Sequence, residues 1–215
     1  MNENLVEVVF VLDRSGSMSG FESDTIGGFN SMLEKQRKED AKVLVSTVLF
    51  DDKIKVLHDR VELAKIAPLT EKDYYVRGCT ALLDAVGRSI KHIANVHKYA
   101  REEDRPHKTL FVIITDGYEN ASRQYTYRDV KAMISKEQEK YGWEFIFLGA
   151  DIDVAKEAES LGIREDRSVC FRKNSRGVRG NFAAVECCMN AFSAGKEISD
   201  DWANEIRKNY ENDED

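Results

Sequence analysis

No stretch of this 215-residue chain approaches the roughly 20 apolar residues that a bilayer-spanning helix needs. The amino terminus has no positively charged start followed by an apolar run, so no secretory signal is expected and the chain reads as soluble and cytoplasmic. Cysteine is scarce. Cys79, Cys170, Cys187 and Cys188 form no CxxC pair, which excludes a zinc ribbon or a disulfide framework. They are expected to be reduced thiols acting as small apolar side chains, in a reducing compartment. Basic residues are outnumbered, 32 Lys and Arg against 39 Asp and Glu, for a net charge of -7. A globally basic footprint for nucleic acid is therefore absent. The phosphate-loop pattern GxxxxGK[ST] and the GxSxG nucleophile elbow are missing too. Of the histidines His58, His92, His97 and His107, none makes a pair at metal-binding spacing on one helix face.

What is present suits one domain: 42% hydrophobic residues, and a length that can bury a core without staples. Residues 5–12 (LVEVVFVL) form a short, nearly continuous apolar run, the signature of a strand buried on both faces. After the loop DRSGSMSG, apolar residues at Phe21, Ile26, Phe29 and Leu33 predict a helix, with Gly27 and Gly28 marking close packing against the sheet. Residues 42–50 predict a second strand, Asp51-Asp52 a tight turn, and 53–61 a returning antiparallel edge strand with protective lysines. Residues 68–78 read as a loop. Thr80 opens a helix whose stripe is Leu82, Val86, Ile90 and Ile93. Residues 108–115 (KTLFVIIT) are the most apolar strand and hence central. Further helices follow at 127–141, 152–161 and around Phe182, Val185, Met189 and Phe192, with strands at 143–148 and 168–171.

Strands alternating with helices imply right-handed crossovers and a doubly wound, mostly parallel six-stranded α/β sheet, with one antiparallel edge strand and helices on both faces. The domain is expected over residues 1–195, followed by an acidic C-terminal tail over 196–215 that ends in the run 211–215 and is expected to be disordered.

In such sheets ligands bind at the carboxyl ends of the strands, near a topological switch point. Three polar segments fall there: Asp13-Arg14-Ser15-Gly16-Ser17 after the first strand, Thr80 before a long helix, and Asp116-Gly117 after the most apolar strand. Carboxylates and hydroxyls suit a hard divalent cation, Mg²⁺ first and Mn²⁺ or Ca²⁺ as alternatives, whereas zinc favours histidine and cysteine. With two carboxylates at most, the ion would keep net positive charge and attract one more anionic oxygen. A plainer reading is that Asp13 and Ser15 cap a helix or form an Asx-turn.

Asp13-Arg14-Ser15-Gly16-Ser17 resembles the DxSxS motif of von Willebrand factor A (vWA) domains, whose metal-ion-dependent adhesion site (MIDAS) continues with a threonine and an aspartate on two later loops. Thr80 in Arg77-Gly78-Cys79-Thr80 and Asp116 in Thr115-Asp116-Gly117 match those positions. The resemblance covers residues 5–192 and implies a Rossmann-like fold. It implies direct metal ligation by Asp13, Ser15 and Ser17, direct or water-mediated ligation by Thr80, and water-mediated ligation by Asp116. Cys79 departs from the glycine of many relatives. Without a secretion signal, the chain is more similar to the intracellular bacterial and phage members than to the secreted adhesion proteins. The function implied is a non-enzymatic, monomeric module whose metal binds an Asp or Glu carboxylate of a protein partner, with no nucleic acid or membrane involved. The alternative is a metal-assisted phosphoester hydrolase. Against it stand Ser15, where aspartate-nucleophile phosphatases carry a second aspartate, and the lack of an evident base or phosphate-binding lysine.

Three lesser expectations complete the reading. Arg14, between two ligands, is expected to point outward and attract an acidic partner. The basic segment 172–180 is expected to be a solvated loop. Glu119 and Asn120 are expected either at the rim of the metal site or as solvent-facing turn residues.

Overall fold

The computed structural model describes residues 2–39 and 41–211. Six strands form one sheet: β1 (Asn2–Asp13), β2 (Lys42–Phe50), β3 (Ile54–Glu62), β4 (Pro106–Thr115), β5 (Glu144–Gly149) and β6 (Ser168–Cys170). Their order is β3-β2-β1-β4-β5-β6. Every pairing is parallel except β2 with β3, the antiparallel edge hairpin that the sequence predicts. The chain winds outward from β1 in one direction and from β4 in the other. The switch point therefore lies between the carboxyl ends of β1 and β4.

Period-two alternation along β1 and β4 builds two cores. Val8, Phe10 and Leu12 with Leu110, Val112 and Ile114 face one side, where α1 (Glu22–Gln36) and α5 (Ser175–Ser193) cover them. Val9, Val11, Phe111 and Ile113 face the other, under α2 (Leu82–Tyr99), α3 (Tyr127–Tyr141) and α4 (Val154–Leu161). Burial on both faces explains why both strands read as unbroken apolar runs. Helix ends are fixed locally. Thr126 and Asp129 form a capping box at the start of α3, and Gly142 closes that helix at φ 64°.

Two expectations change. Gly28 packs against another helix, since a Cβ there would sit 2.5 Å from the Phe182 ring of α5, while a Cβ at Gly27 would meet open space. The segment expected as an acidic tail from 196 is instead folded through residue 211. Ile198, Trp202, Ala203 and Ile206 join the core on the α5 side, and α6 (Asn204–Glu211) forms a last helix. The Trp202 indole donates to the Asp166 carbonyl at 2.8 Å. The rest of the acidic run, residues 212–215, lies outside the described residues.

Candidate metal centre

Asp13 ends β1, and Thr115 ends the neighbouring strand β4, so Asp13 and Asp116 emerge side by side at the switch point. Three loops are knitted together by backbone bonds. The Gly16 amide donates to the Gly78 carbonyl (3.1 Å), Arg77 to Arg14 (2.9 Å) and Ala81 to Asp51 (3.0 Å). Gly78 takes φ 68°, and any side chain there would strike Asp52, so only glycine allows the Thr80 loop to approach this closely.

The side-chain oxygens converge. Ser15 Oγ lies 3.0 Å from Ser17 Oγ, and Ser17 Oγ donates to Asp116 Oδ1 at 2.5 Å. A Cβ on Gly117 would sit 3.2 Å from Thr80 Oγ1 and 3.4 Å from Ser17 Oγ, which places both hydroxyls around one point. Asp13 Oδ1 accepts from the Ser15 amide at 2.7 Å, so the Asx-turn does form. Its Oδ2 accepts from Thr115 Oγ1 at 2.6 Å. The Tyr74 hydroxyl donates to the Asp13 carbonyl at 2.5 Å.

Asp13 is 1% exposed. Burial pushes its carboxyl from 3.8 up to about 6, against the opposing hydrogen bonds from Thr115 and Ser15, and the nearby Asp116 charge adds to the rise. Asp116 is 3% exposed, and its Oδ2 receives no hydrogen bond among the described residues. No three His, Cys, Asp or Glu side chains among the described residues group as metal ligands. The donor set is two carboxylates and three hydroxyls, which suits a hard cation in preference to zinc. Oxygens of Ser15, Ser17, Thr80 and Asp116 gathered around one point, beside the buried Asp13 carboxyl, fit a divalent ion held by these residues.

Several neighbours take other roles than expected. Arg14 points inward, 2% exposed, with Nε 2.8 Å from Asp51 Oδ2. The contact is an ion pair and not a well-directed hydrogen bond, since Arg14 Nε and Nη1 remain without hydrogen-bond partners among the described residues. Arg77 reaches the same Asp51 oxygen at 2.9 Å. Burial opposes the Asp51 charge, yet Arg77, the Lys53 amide, Asp52 and Arg14 hold its pKa below the usual carboxylate value. Asn120 clamps the Thr80 backbone: its Oδ1 accepts from the Thr80 amide at 2.9 Å, and its own amide donates to the Thr80 carbonyl at 3.0 Å. Glu119 accepts from the Leu83, Ala121 and Ser122 amides and so caps α2, which begins at Leu82 and not at Thr80. Both residues hold loops in place.

Lys173 is the residue that the sequence reading missed. Its ammonium lies 3.0 Å from Asp116 Oδ2 and 3.4 Å from Asp151 Oδ2. The segment 172–180 is thus not a free loop. Residues from Ser175 belong to α5, and Arg179 pairs with Asp24 at 2.8 Å. The rule that ligands gather at strand carboxyl ends could have flagged Lys173, which lies three residues beyond the end of β6.

The model of the von Willebrand factor type A domain family matches residues 7–179. The chain belongs to the vWA domain family. The fold agrees with solved structures at low sequence identity. One is the von Willebrand factor type A protein from Catenulispora acidiphila, with TM-score 0.57, 16% identity, and coverage of 92% of this chain and 44% of that one. Another is a D319A mutant of the PilB minor pilin from Streptococcus sanguinis, with TM-score 0.59, 14% identity, and coverage of 94% and 62%. A third is proximal thread matrix protein 1 from the mussel byssus, solved with a zinc-occupied MIDAS motif, with TM-score 0.57, 14% identity, and coverage of 86% and 46%. This vWA domain spans between 44% and 62% of the length of those structures. No curated protein matches it. No helix among the described residues is long and apolar enough to cross a membrane.

Proposed function

We propose that this vWA domain holds one divalent cation through Asp13, Ser15, Ser17, Thr80 and Asp116 and uses it to bind a carboxylate of a partner protein. The observation that carries this reading is the convergence of Ser15, Ser17, Thr80 and Asp116 oxygens beside a buried, destabilised Asp13. Bound there, the ion supplies a Lewis-acidic centre with positive charge left over for an external oxygen. The residues of the chain do the rest. Ser15 and Ser17 contribute uncharged oxygens, Asn120 fixes the Thr80 hydroxyl by its backbone, and Thr115 orients the Asp13 carboxylate. The zinc-occupied MIDAS of the mussel byssus protein supports divalent binding in this fold. Mg²⁺ fits the oxygen donors here best.

The test is calorimetric titration of Mg²⁺ and Mn²⁺ into chelator-treated protein, followed by capture of an Asp- or Glu-bearing peptide library with and without EDTA. One ion per chain and capture lost in EDTA are expected. Absence of any divalent binding would sink the proposal.

A second reading gains one observation from the structure. Lys173 puts an ammonium beside Asp116, supplying the cation that a phosphoester hydrolase would want. Turnover of p-nitrophenyl phosphate with Mg²⁺, lost in both Asp13→Ala and Lys173→Met, would favour that reading over the binding module.

A further inference from the structure

Lys173 is not a loosely placed surface lysine. Its backbone sits in a tight turn between β6 and α5. The Phe171 amide donates to the Gly149 carbonyl at 2.9 Å, and the Asn174 amide donates to the Arg172 carbonyl at 2.8 Å. Asn174 Oδ1 caps α5 by accepting from the Gly177 amide at 2.8 Å. Gly177 packs so closely on the Arg172 carbonyl that a side chain there would collide with it. The side chain, 26% exposed, reaches from this turn to Asp116 and also lines a polar cleft of about 590 Å³, whose walls include Tyr118, Asp151, Asn174 and Tyr210. Of its two acidic neighbours, Asp151 is 63% exposed and screened by water, while the Asp116 side chain is 0% exposed. The buried contact therefore dominates.

This arrangement sets the charge of the site. Asp13 and Asp116 bring two negative charges, and Lys173 returns one positive charge at 3.0 Å from Asp116. Asp116 Oδ1 is already engaged by Ser17, so Lys173 takes the oxygen that is otherwise unbonded. A divalent ion entering such a site meets one net negative charge in place of two. It is held less tightly, and it keeps more positive charge for an external ligand. We propose that Lys173 is a specificity-determining residue: a built-in monovalent cation that weakens the hold of the protein on its divalent ion and, in exchange, strengthens the demand of that ion for an anionic ligand. The inference rests on the metal-binding reading above and goes beyond it. It names a residue of this chain that tunes the site for a carboxylate over a neutral oxygen.

Two constants test it, and they move in opposite directions. Mn²⁺ affinity is read by electron paramagnetic resonance of the free ion. Acetate affinity for the Mn²⁺-loaded protein is read by the loss of water-proton relaxation. Lys173→Met keeps the length of the side chain and removes the charge. It is expected to bind Mn²⁺ about tenfold more tightly and acetate about fivefold more weakly, with Lys173→Arg staying near wild type on both. A purely structural role for Lys173 would weaken both constants together or leave both unchanged. Either result overturns the proposal. So does tighter Mn²⁺ binding with unchanged acetate affinity, because the ion would then simply displace the lysine. If Lys173→Met does not fold, Lys173→Gln carries the same comparison. If the wild type binds no Mn²⁺, the metal reading fails and this inference fails with it. If the wild type binds Mn²⁺ but the variants match it, only the role of Lys173 is lost.

Discussion

Glu7 and Asp13 lie on the same face of β1 and are almost fully buried, 0% and 1% exposed. Their surroundings differ completely. Glu7 sits between Arg60 and His97: Arg60 Nε donates to Oε1 at 2.8 Å, and His97 Nε2 lies 2.6 Å from Oε2. Arg60 adopts φ 52°, a left-handed conformation that a non-glycine residue keeps only where its surroundings hold it there. Asp13 has hydroxyl and amide donors and, among the described residues, no cation of its own. The nearby guanidiniums of Arg14 and Arg77 are both committed to Asp51. Protein interiors accept a buried charge when it is paired. Glu7 is thus an explained structural charge, and Asp13 is one that asks for a partner from outside. The contrast separates scaffold from site more sharply than burial or motif alone.

The largest expected effect breaks the Asp13 side. Asp13→Asn should weaken Mn²⁺ binding by about 100-fold or more, since a charged ligand is lost. The same change should stabilise the chelated protein. The carboxyl is pushed from 3.8 to about 6 on folding, and at 1.36 kcal/mol per unit its removal is worth about 1–3 kcal/mol at pH 7 after lost hydrogen bonds are discounted. Thermal unfolding with EDTA checks this; a lower melting temperature for Asp13→Asn would mean that Asp13 is held for the fold. The opposite result is expected at Glu7. Glu7→Gln leaves the Arg60 guanidinium without its counter-charge and should cost about 3 kcal/mol, with Mn²⁺ affinity unchanged. Loss of metal binding in Glu7→Gln would show that the two ends of β1 are not independent.

The same distinction explains what could be read from the sequence. The sheet was legible because β1 and β4 are buried on both faces and so appear as apolar runs, and because β3 returns after a short turn that opens with Asp51-Asp52. The neighbourhood of Asp13 and Asp116 followed from the rule that ligands gather at the carboxyl ends of strands, while Thr80 was placed beside them as the residue before a long helix. The side chains that hold these residues depend on tertiary contacts that no local pattern encodes. Arg14 was expected outside because it fills the position between two expected ligands. The loop turns at Gly16–Met18 and sends it beneath Tyr75, 5.1 Å from the ring centre, towards Asp51 at the end of β2. Asn120 and Lys173 reach the Thr80 and Asp116 loops from 40 and 57 residues away along the chain. The carboxyl-terminal segment is different, because its signal was present and was outweighed by charge. Ile198, Trp202 and Ile206 recur every four residues, the spacing of a buried stripe, inside an otherwise acidic stretch.

The smallest expected effect sharpens the comparison at Asp13 itself. Thr115 Oγ1 donates to Asp13 Oδ2 at 2.6 Å, and Thr115→Val removes that donor with little change of shape. The carboxyl should then rise beyond about 6, because the opposing hydrogen bond from Thr115 is gone while burial remains. An acid whose folded pKa is raised binds its proton more tightly when folded. The metal-free protein should therefore lose stability as pH climbs from about 4 through the folded value. In Thr115→Val that loss should continue to higher pH. The gap in stability from wild type should be small near pH 4 and grow to about 1–2 kcal/mol at pH 7–8, or a few degrees in melting temperature. A gap of the same size at every pH would assign the Thr115 hydroxyl to its loop contacts with Gly117, leaving Asp13 supported by its Ser15 turn alone.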